Sequence, residues 1–92
     1  MALVHANDSN FSAEIKPGLA IVDFWAVWCG PCRMFGPIFE EVSKRNPDVK
    51  FVKFEIDEAN RRIPAQYGIR SIPSIIAFRD GEPLEVRTGM MD

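Results

Sequence analysis

Histidine and cysteine are scarce in this chain of 92 residues: one of the first and two of the second. A zinc site needs four ligands, and Cys29 and Cys32 with the distant His5 do not supply them. No run approaches the ~20 apolar residues of a membrane-spanning helix. No basic stripe marks a nucleic-acid surface and no block of like charge marks a tail, since 11 basic against 13 acidic residues leave a net charge of −2. Repeats, low-complexity tracts and linkers are also missing, so one domain over 1–92 is expected. Residues 1–10 carry no basic region followed by an apolar one, so no signal peptide is expected and a cytoplasmic location is favoured. In that reducing compartment a close cysteine pair serves redox or metal chemistry rather than acting as a staple. What the chain has in quantity is apolar residues, 47% against 26% charged, the balance of a folded domain.

Both cysteines fall in Trp28-Cys29-Gly30-Pro31-Cys32. An apolar run, 21–28, leads in and an amphipathic pattern, 34–42, leads out. That order predicts a strand, a sharp turn and a helix beginning at the second cysteine. Sulfurs three positions apart at a helix start share a face and can close a small disulfide ring. The unpaired N–H groups and positive dipole end of the helix favour a thiolate at Cys29, just outside its first turn. Cys32, one turn in, is expected to be more shielded. Pro31 suits a first turn, and Gly30 is expected to permit the tight backbone and leave Cys29 open to a partner. One exposed low-pKa sulfur beside one shielded sulfur makes a dithiol–disulfide exchange device.

The remaining elements follow from pattern. Leu3-Val4 reads as a short edge strand. Asn7, Asp8 and Ser9 are candidate caps of a short helix carrying Phe11 and Ile15, which Pro17-Gly18 stops. His5 reads as an ordinary polar residue at a strand end. The run 19–26 is apolar enough for a strand covered on both faces, with one charge, Asp23. Asp23 is either a paired structural carboxylate or a buried acid whose raised pKa lets it accept a proton from Cys32. Helical spacing assigns Met34, Phe35, Ile38, Phe39 and Val42 to the core, with Pro37 expected to kink that helix. Glu40–Lys44 and Glu41–Arg45 are four-apart pairs on its wet side. Residues 50–56 alternate as a strand in which Lys53 reads as a solvated lysine. The acids of Asp57-Glu58-Ala59-Asn60 are expected to open a further helix that Pro64 bends and Gly68 closes. Ile72-Pro73-Ser74 precedes a strand of 75–78, and a proline there is ordinarily trans. Asp80-Gly81 signals a hairpin to a last strand.

The stretch Trp25-Ala26-Val27-Trp28-Cys29-Gly30-Pro31-Cys32 resembles the active site of the thioredoxin family. The resemblance covers nearly the whole chain. It implies an α/β fold, thioredoxin-like, with a central mixed sheet flanked by helices on both faces. It matches Asp23 to the family's buried acid, places Lys53 beside that acid, and matches Pro37 to a family proline. It also implies a cis Pro73 facing the disulfide, in an Ile-Pro-Thr pattern where this chain has Ser74, and matches Gly89 to a glycine near the site. Trp28, Gly30, Pro31, Ile72, Pro73 and Gly89, with Met90, are expected to form the surface on which substrates dock. The family's C-terminal helix is not encoded before Asp92, so exposed sheet, lower stability or a weak or swapped dimer is expected.

The function implied is reduction of disulfides in protein substrates, with Cys29, Cys32, Asp23 and Lys53 as catalytic residues. No cofactor is expected beyond the Cys29–Cys32 redox disulfide, and no metal. A flavin-dependent reductase using NADPH is the implied electron donor, with no nucleic acid or membrane as partner. The dipeptide Gly30-Pro31 resembles the reducing branch of the family rather than its oxidases and isomerases. The rival reading is a binding or scaffold module whose catalysis is impaired by the short C-terminus.

Overall fold

A computed structural model describes residues 3–88. Its elements are β1 (Val4–Ala6), α1 (Phe11–Ile15), β2 (Leu19–Trp25), α2 (Gly30–Arg45), β3 (Lys50–Glu55), α3 (Arg62–Gln66), β4 (Ser74–Arg79) and β5 (Glu82–Thr88). The apolar run becomes β2, the middle strand of a mixed sheet ordered β1-β3-β2-β4-β5 among the described residues. β1 and β2 both run parallel to β3, whereas β4 is antiparallel to β2 and β5 to β4. The β4–β5 hairpin turns at Asp80 and Gly81, both with positive φ (51° and 87°), which is what Asp-Gly supplies.

Alternation along β2 splits the molecule into two layers. Ala20, Val22 and Phe24 join Phe11 and Ile15 of α1 and Ile63 of α3 in the larger core. Phe11 lies between the rings of Phe24, Phe54, Phe78 and Tyr67, with centroids 5.6–6.1 Å away. Ile21, on the opposite face, packs with Phe35 and Phe39 of α2 and with Phe51 and Ile75. Asp23 and Trp25 follow Ile21 on that face. Helices therefore cover both sides, α1 and α3 one and α2 the other.

Four expectations are corrected. The helix begins at Gly30, two residues before the expected start at Cys32, and Pro37 lies inside this one helix. Its buried line is Cys32, Phe35, Gly36, Phe39 and Ser43, whereas Met34, Ile38 and Val42 are exposed. Those three form a separate row at four-residue spacing, rotated roughly 100° from the residues that meet the sheet. Of the two expected ion pairs, Glu41–Arg45 forms at 3.6 Å and Glu40–Lys44 does not.

The fourth correction concerns α3, which spans Arg62–Gln66 and does not include the acids at 57 and 58. Asp57 Oδ1 instead accepts hydrogen bonds from Ala59 N at 2.9 Å and Asn60 Nδ2 at 3.1 Å, closing a turn of its own. The start of α3 is served from a distance: Asp8 accepts from Arg62 N and Ile63 N, both at 3.0 Å. Partial burial pushes the Asp8 carboxyl up, but these N–H donors and the Arg62 charge outweigh it and hold the group below its usual range. Pro64 is tolerated because the first turn of a helix has no use for its N–H. Asp8→Ala is expected to destabilise the fold by about 1–2 kcal/mol, the range of a lost cap, read as a lowered urea midpoint with unchanged m-value.

Candidate active site

After Trp25 the chain leaves the sheet in a turn closed by Cys29 N donating to Ala26 O at 3.2 Å. Cys29 is the N-cap of α2, extended at φ −94° and ψ 111°, so its side chain folds back over the helix end. There its Sγ accepts a hydrogen bond from Cys32 N at 3.2 Å. Pro31, in the first turn, leaves that N–H to the sulfur without a competing donor of its own. Cys29 and Cys32 are joined in a disulfide with their Cα atoms 5.2 Å apart. Opening it leaves Cys29 as the sulfur that faces the helix N–H groups and the positive dipole end.

The expected contrast in exposure is small: Cys29 is 5% exposed and Cys32 2%, both within the fold, while the neighbouring Trp28 is 74% exposed. Gly30 has no positive φ, so its backbone does not require glycine. A Cβ there would meet nothing within 4 Å, so what Gly30 leaves is open space beside the sulfur.

A second segment meets the pair. Ile72-Pro73 is a cis peptide, as the resemblance implied. Ile72 O lies 3.8 Å from Cys29 Sγ, and Ile72 packs against the cluster of Ala26, Cys29 and Cys32, as does Trp25. Pro73 and Ser74 are buried, with the Ser74 hydroxyl donating to Ser71 O. Trp28, Gly30, Pro31, Ile72 and Pro73 are thus carried by two segments that converge on one disulfide, whereas Gly89 and Met90 lie outside the described residues.

Asp23 is fully buried, and neither carboxylate oxygen has a hydrogen-bond partner among the described residues. Burial disfavours its charged form and pushes its pKa up to about 6, with the Lys53 charge pulling in the opposite direction. Register places Lys53 directly beside Asp23. No contact ion pair joins them; Lys53 Nζ instead lies 4.4 Å from the centroid of the Trp25 ring. Among the described residues no three His, Cys, Asp or Glu side chains cluster as a metal site, and no helix is long and apolar enough to cross a membrane.

A thioredoxin family model matches residues 2–92. The chain is 44% identical over 90 residues to thioredoxin of Bacillus subtilis (strain 168), covering 97% of this chain and 86% of that protein. It is 46% identical over 89 residues to thioredoxin of Rickettsia felis, covering 94% and 84%. The chain belongs to the thioredoxin family. Among solved structures, Chlamydomonas reinhardtii thioredoxin f2 superposes with a TM-score of 0.90 at 27% identity, over 96% of this chain and 84% of that one. Family membership and a cysteine pair at bonding distance make the chain a thiol–disulfide oxidoreductase. Thioredoxins act on disulfide-containing substrates and are reduced in turn by a thioredoxin reductase.

Two features of this thioredoxin site were not foreseen. Arg33 Nη1 donates to Val27 O at 2.9 Å, bracing the turn that presents Trp28 and Cys29. The stacking of Lys53 on Trp25 joins β2 and β3 across the face that α2 covers. Neither has a local signal, because each pairs a side chain with a group whose position only the folded chain sets.

Proposed function

We propose that this thioredoxin reduces disulfides in other proteins through a two-step exchange. In the first step the Cys29 thiolate attacks a substrate S–S bond, forming a mixed disulfide and expelling one substrate thiolate. In the second, Asp23 accepts the Cys32 proton and the Cys32 thiolate attacks Cys29 Sγ. The second substrate thiolate leaves, the Cys29–Cys32 disulfide forms, and two electrons have passed to the substrate. Lys53 tempers the basicity of Asp23. Trp28, Gly30, Pro31, Ile72, Pro73 and Gly89 form the docking surface, with Ile72 O available to an extended substrate backbone. A flavin-dependent NADPH reductase returns the protein to the dithiol, and the reaction belongs in the reducing cytoplasm. No bound cofactor enters the exchange.

The observation that carries this reading is the Cys32 N–H donated to Cys29 Sγ at the start of α2. It is tested by the rate of Cys29 alkylation against pH in the reduced protein, with Cys32→Ser as control. A transition well below the free-thiol value of about 8.5 is expected. A transition at that value would show that the helix start does not activate Cys29, and would favour a binding module on the same fold.

A further inference from the structure

Gly36 sits in the middle of α2, one turn beyond Cys32 and on the buried line of that helix. Glycine in a helix interior lowers the folding constant about fivefold relative to alanine. Its φ is not positive, so the backbone does not call for it. A Cβ at position 36 would lie 3.2 Å from Lys53 Nζ, tighter than ordinary contact, and apart from the helix's own backbone and residues 35 and 37 no other group comes within 4 Å. The space that this glycine leaves is therefore occupied by one atom, the ammonium nitrogen of Lys53. The same nitrogen rests 4.4 Å from the Trp25 ring centroid.

We propose that Gly36 is a positioning residue for the exchange reaction: its missing side chain is the seat that holds the Lys53 ammonium between α2 and the Trp25 ring, beside Asp23. The inference rests on the reading of Asp23 as proton acceptor. Lys53 has no carboxylate within 4.0 Å among the described residues. Packing, rather than an ion pair, fixes where its charge stands. A methyl group at position 36 displaces it, because the end of a lysine side chain yields more readily than a helix or a sheet. Displaced from this seat, the ammonium gives way toward the β1 edge, on the side of β3 away from Asp23, where exposed His5 shares its register row. By register the charged or titratable residues of this face are Asp23 on β2, Lys53 and Glu55 on β3, His5 on β1, Arg79 at the far end of β4, and Glu85 and Arg87 on β5, with Arg87 in the row of Asp23 beyond Ile75. Beside Asp23, β4 contributes apolar Ile75, and the buried line of α2 carries no charge while the disulfide is closed.

The test is a double-mutant cycle of Gly36→Ala and Lys53→Met in the oxidised protein, with Lys53→Gln as a second neutral background. Two quantities are read: the folding constant from urea unfolding, and the midpoint of the Asp23 carboxyl titration by carbon NMR. With Lys53 replaced, Gly36→Ala is expected to give the about fivefold gain of a helix interior. With Lys53 present, that gain is expected to vanish. The Asp23 midpoint is expected to move upward in Gly36→Ala, in the same direction as in Lys53→Met, and no further in the double variant. Equal gains in both backgrounds, or an Asp23 midpoint that Gly36→Ala leaves in place, would overturn the proposal. Neither readout requires turnover. Failure here therefore leaves the exchange mechanism standing, and absence of reductase activity in the unaltered chain strikes that mechanism alone.

Discussion

Replacing Cys32 by serine is expected to turn the protein from a catalyst into a covalent trap. Cys29 in the variant keeps its place as N-cap of α2 and still meets the backbone N–H of residue 32, so the first attack proceeds. The second cannot, because a serine hydroxyl does not displace a thiolate from a disulfide. Incubation of the reduced variant with a disulfide-containing protein should therefore accumulate a mixed disulfide through Cys29. It should be visible as a mass equal to the sum of the partners and be lost on addition of excess dithiol. Turnover should fall to the uncatalysed background. Cys29→Ser should give neither adduct nor turnover, since Cys32 lies inside α2 and only the N-cap position of Cys29 turns a sulfur onto the helix N–H groups. An adduct of comparable yield on Cys32 in the Cys29→Ser variant would reverse the assigned order of attack.

The second large effect concerns Asp23, whose pKa of about 6 in the fold stands against an ordinary 3.8. Between those values the folded protein binds more protons than the unfolded chain, so stability falls as pH rises from about 4 to 6 and is level above. Below pH 4 both states are protonated and the penalty vanishes. A shift of about two units corresponds to about 3 kcal/mol withheld from the fold at neutral pH. Asp23→Asn keeps the side-chain volume and removes the charge. It is expected to be more stable than the parent by about 2–3 kcal/mol at pH 7 and nearly equal to it at pH 4. The comparison should be made as a difference between the two proteins across pH. Carboxylates held below their usual range, such as Asp8, contribute the opposite slope to both and cancel. The same variant should resolve mixed disulfides roughly 10²-fold more slowly, the lower end of what a positioned base supplies. A variant more stable at pH 7 with unchanged resolution would make Asp23 a burden on the fold without a part in the exchange.

The parts of this molecule that could be read in advance are those whose cause is local. β2 declared itself as an unbroken apolar run, the 80–81 hairpin by its Asp-Gly, and the helix-start cysteines by their spacing and Pro31. The side-chain line of α2 was legible only to within one residue. Apolar positions 34, 35, 38, 39 and 42 contain two adjacent rows, and choosing between them requires knowing how the helix is rotated on the sheet. α3 was drawn too long because Asp57 binds within its own turn, while the true cap, Asp8, lies 54 residues from Arg62. Within the site, Asp23 was conspicuous as the one charge in an apolar strand. That Lys53 would rest on Trp25, and that Gly36 would make room for it, depends on three elements meeting. The cis bond at Pro73 was reached through resemblance alone, since a proline before a strand is ordinarily trans.

The central place of β2 also governs the order in which this chain can fold during synthesis. Leu19 pairs with Arg79 and Phe24 with Ser74, partners 60 and 50 positions later. Its parallel partner β3 emerges sooner, but one side of the most apolar strand stays unpaired until nearly the whole described chain has been made. Non-local closure of this kind slows folding relative to a helical domain of equal length. The nascent chain therefore carries an apolar, unpaired strand for most of its translation, and it is over this interval, rather than in the finished protein, that chaperone binding to residues 19–25 is most favoured.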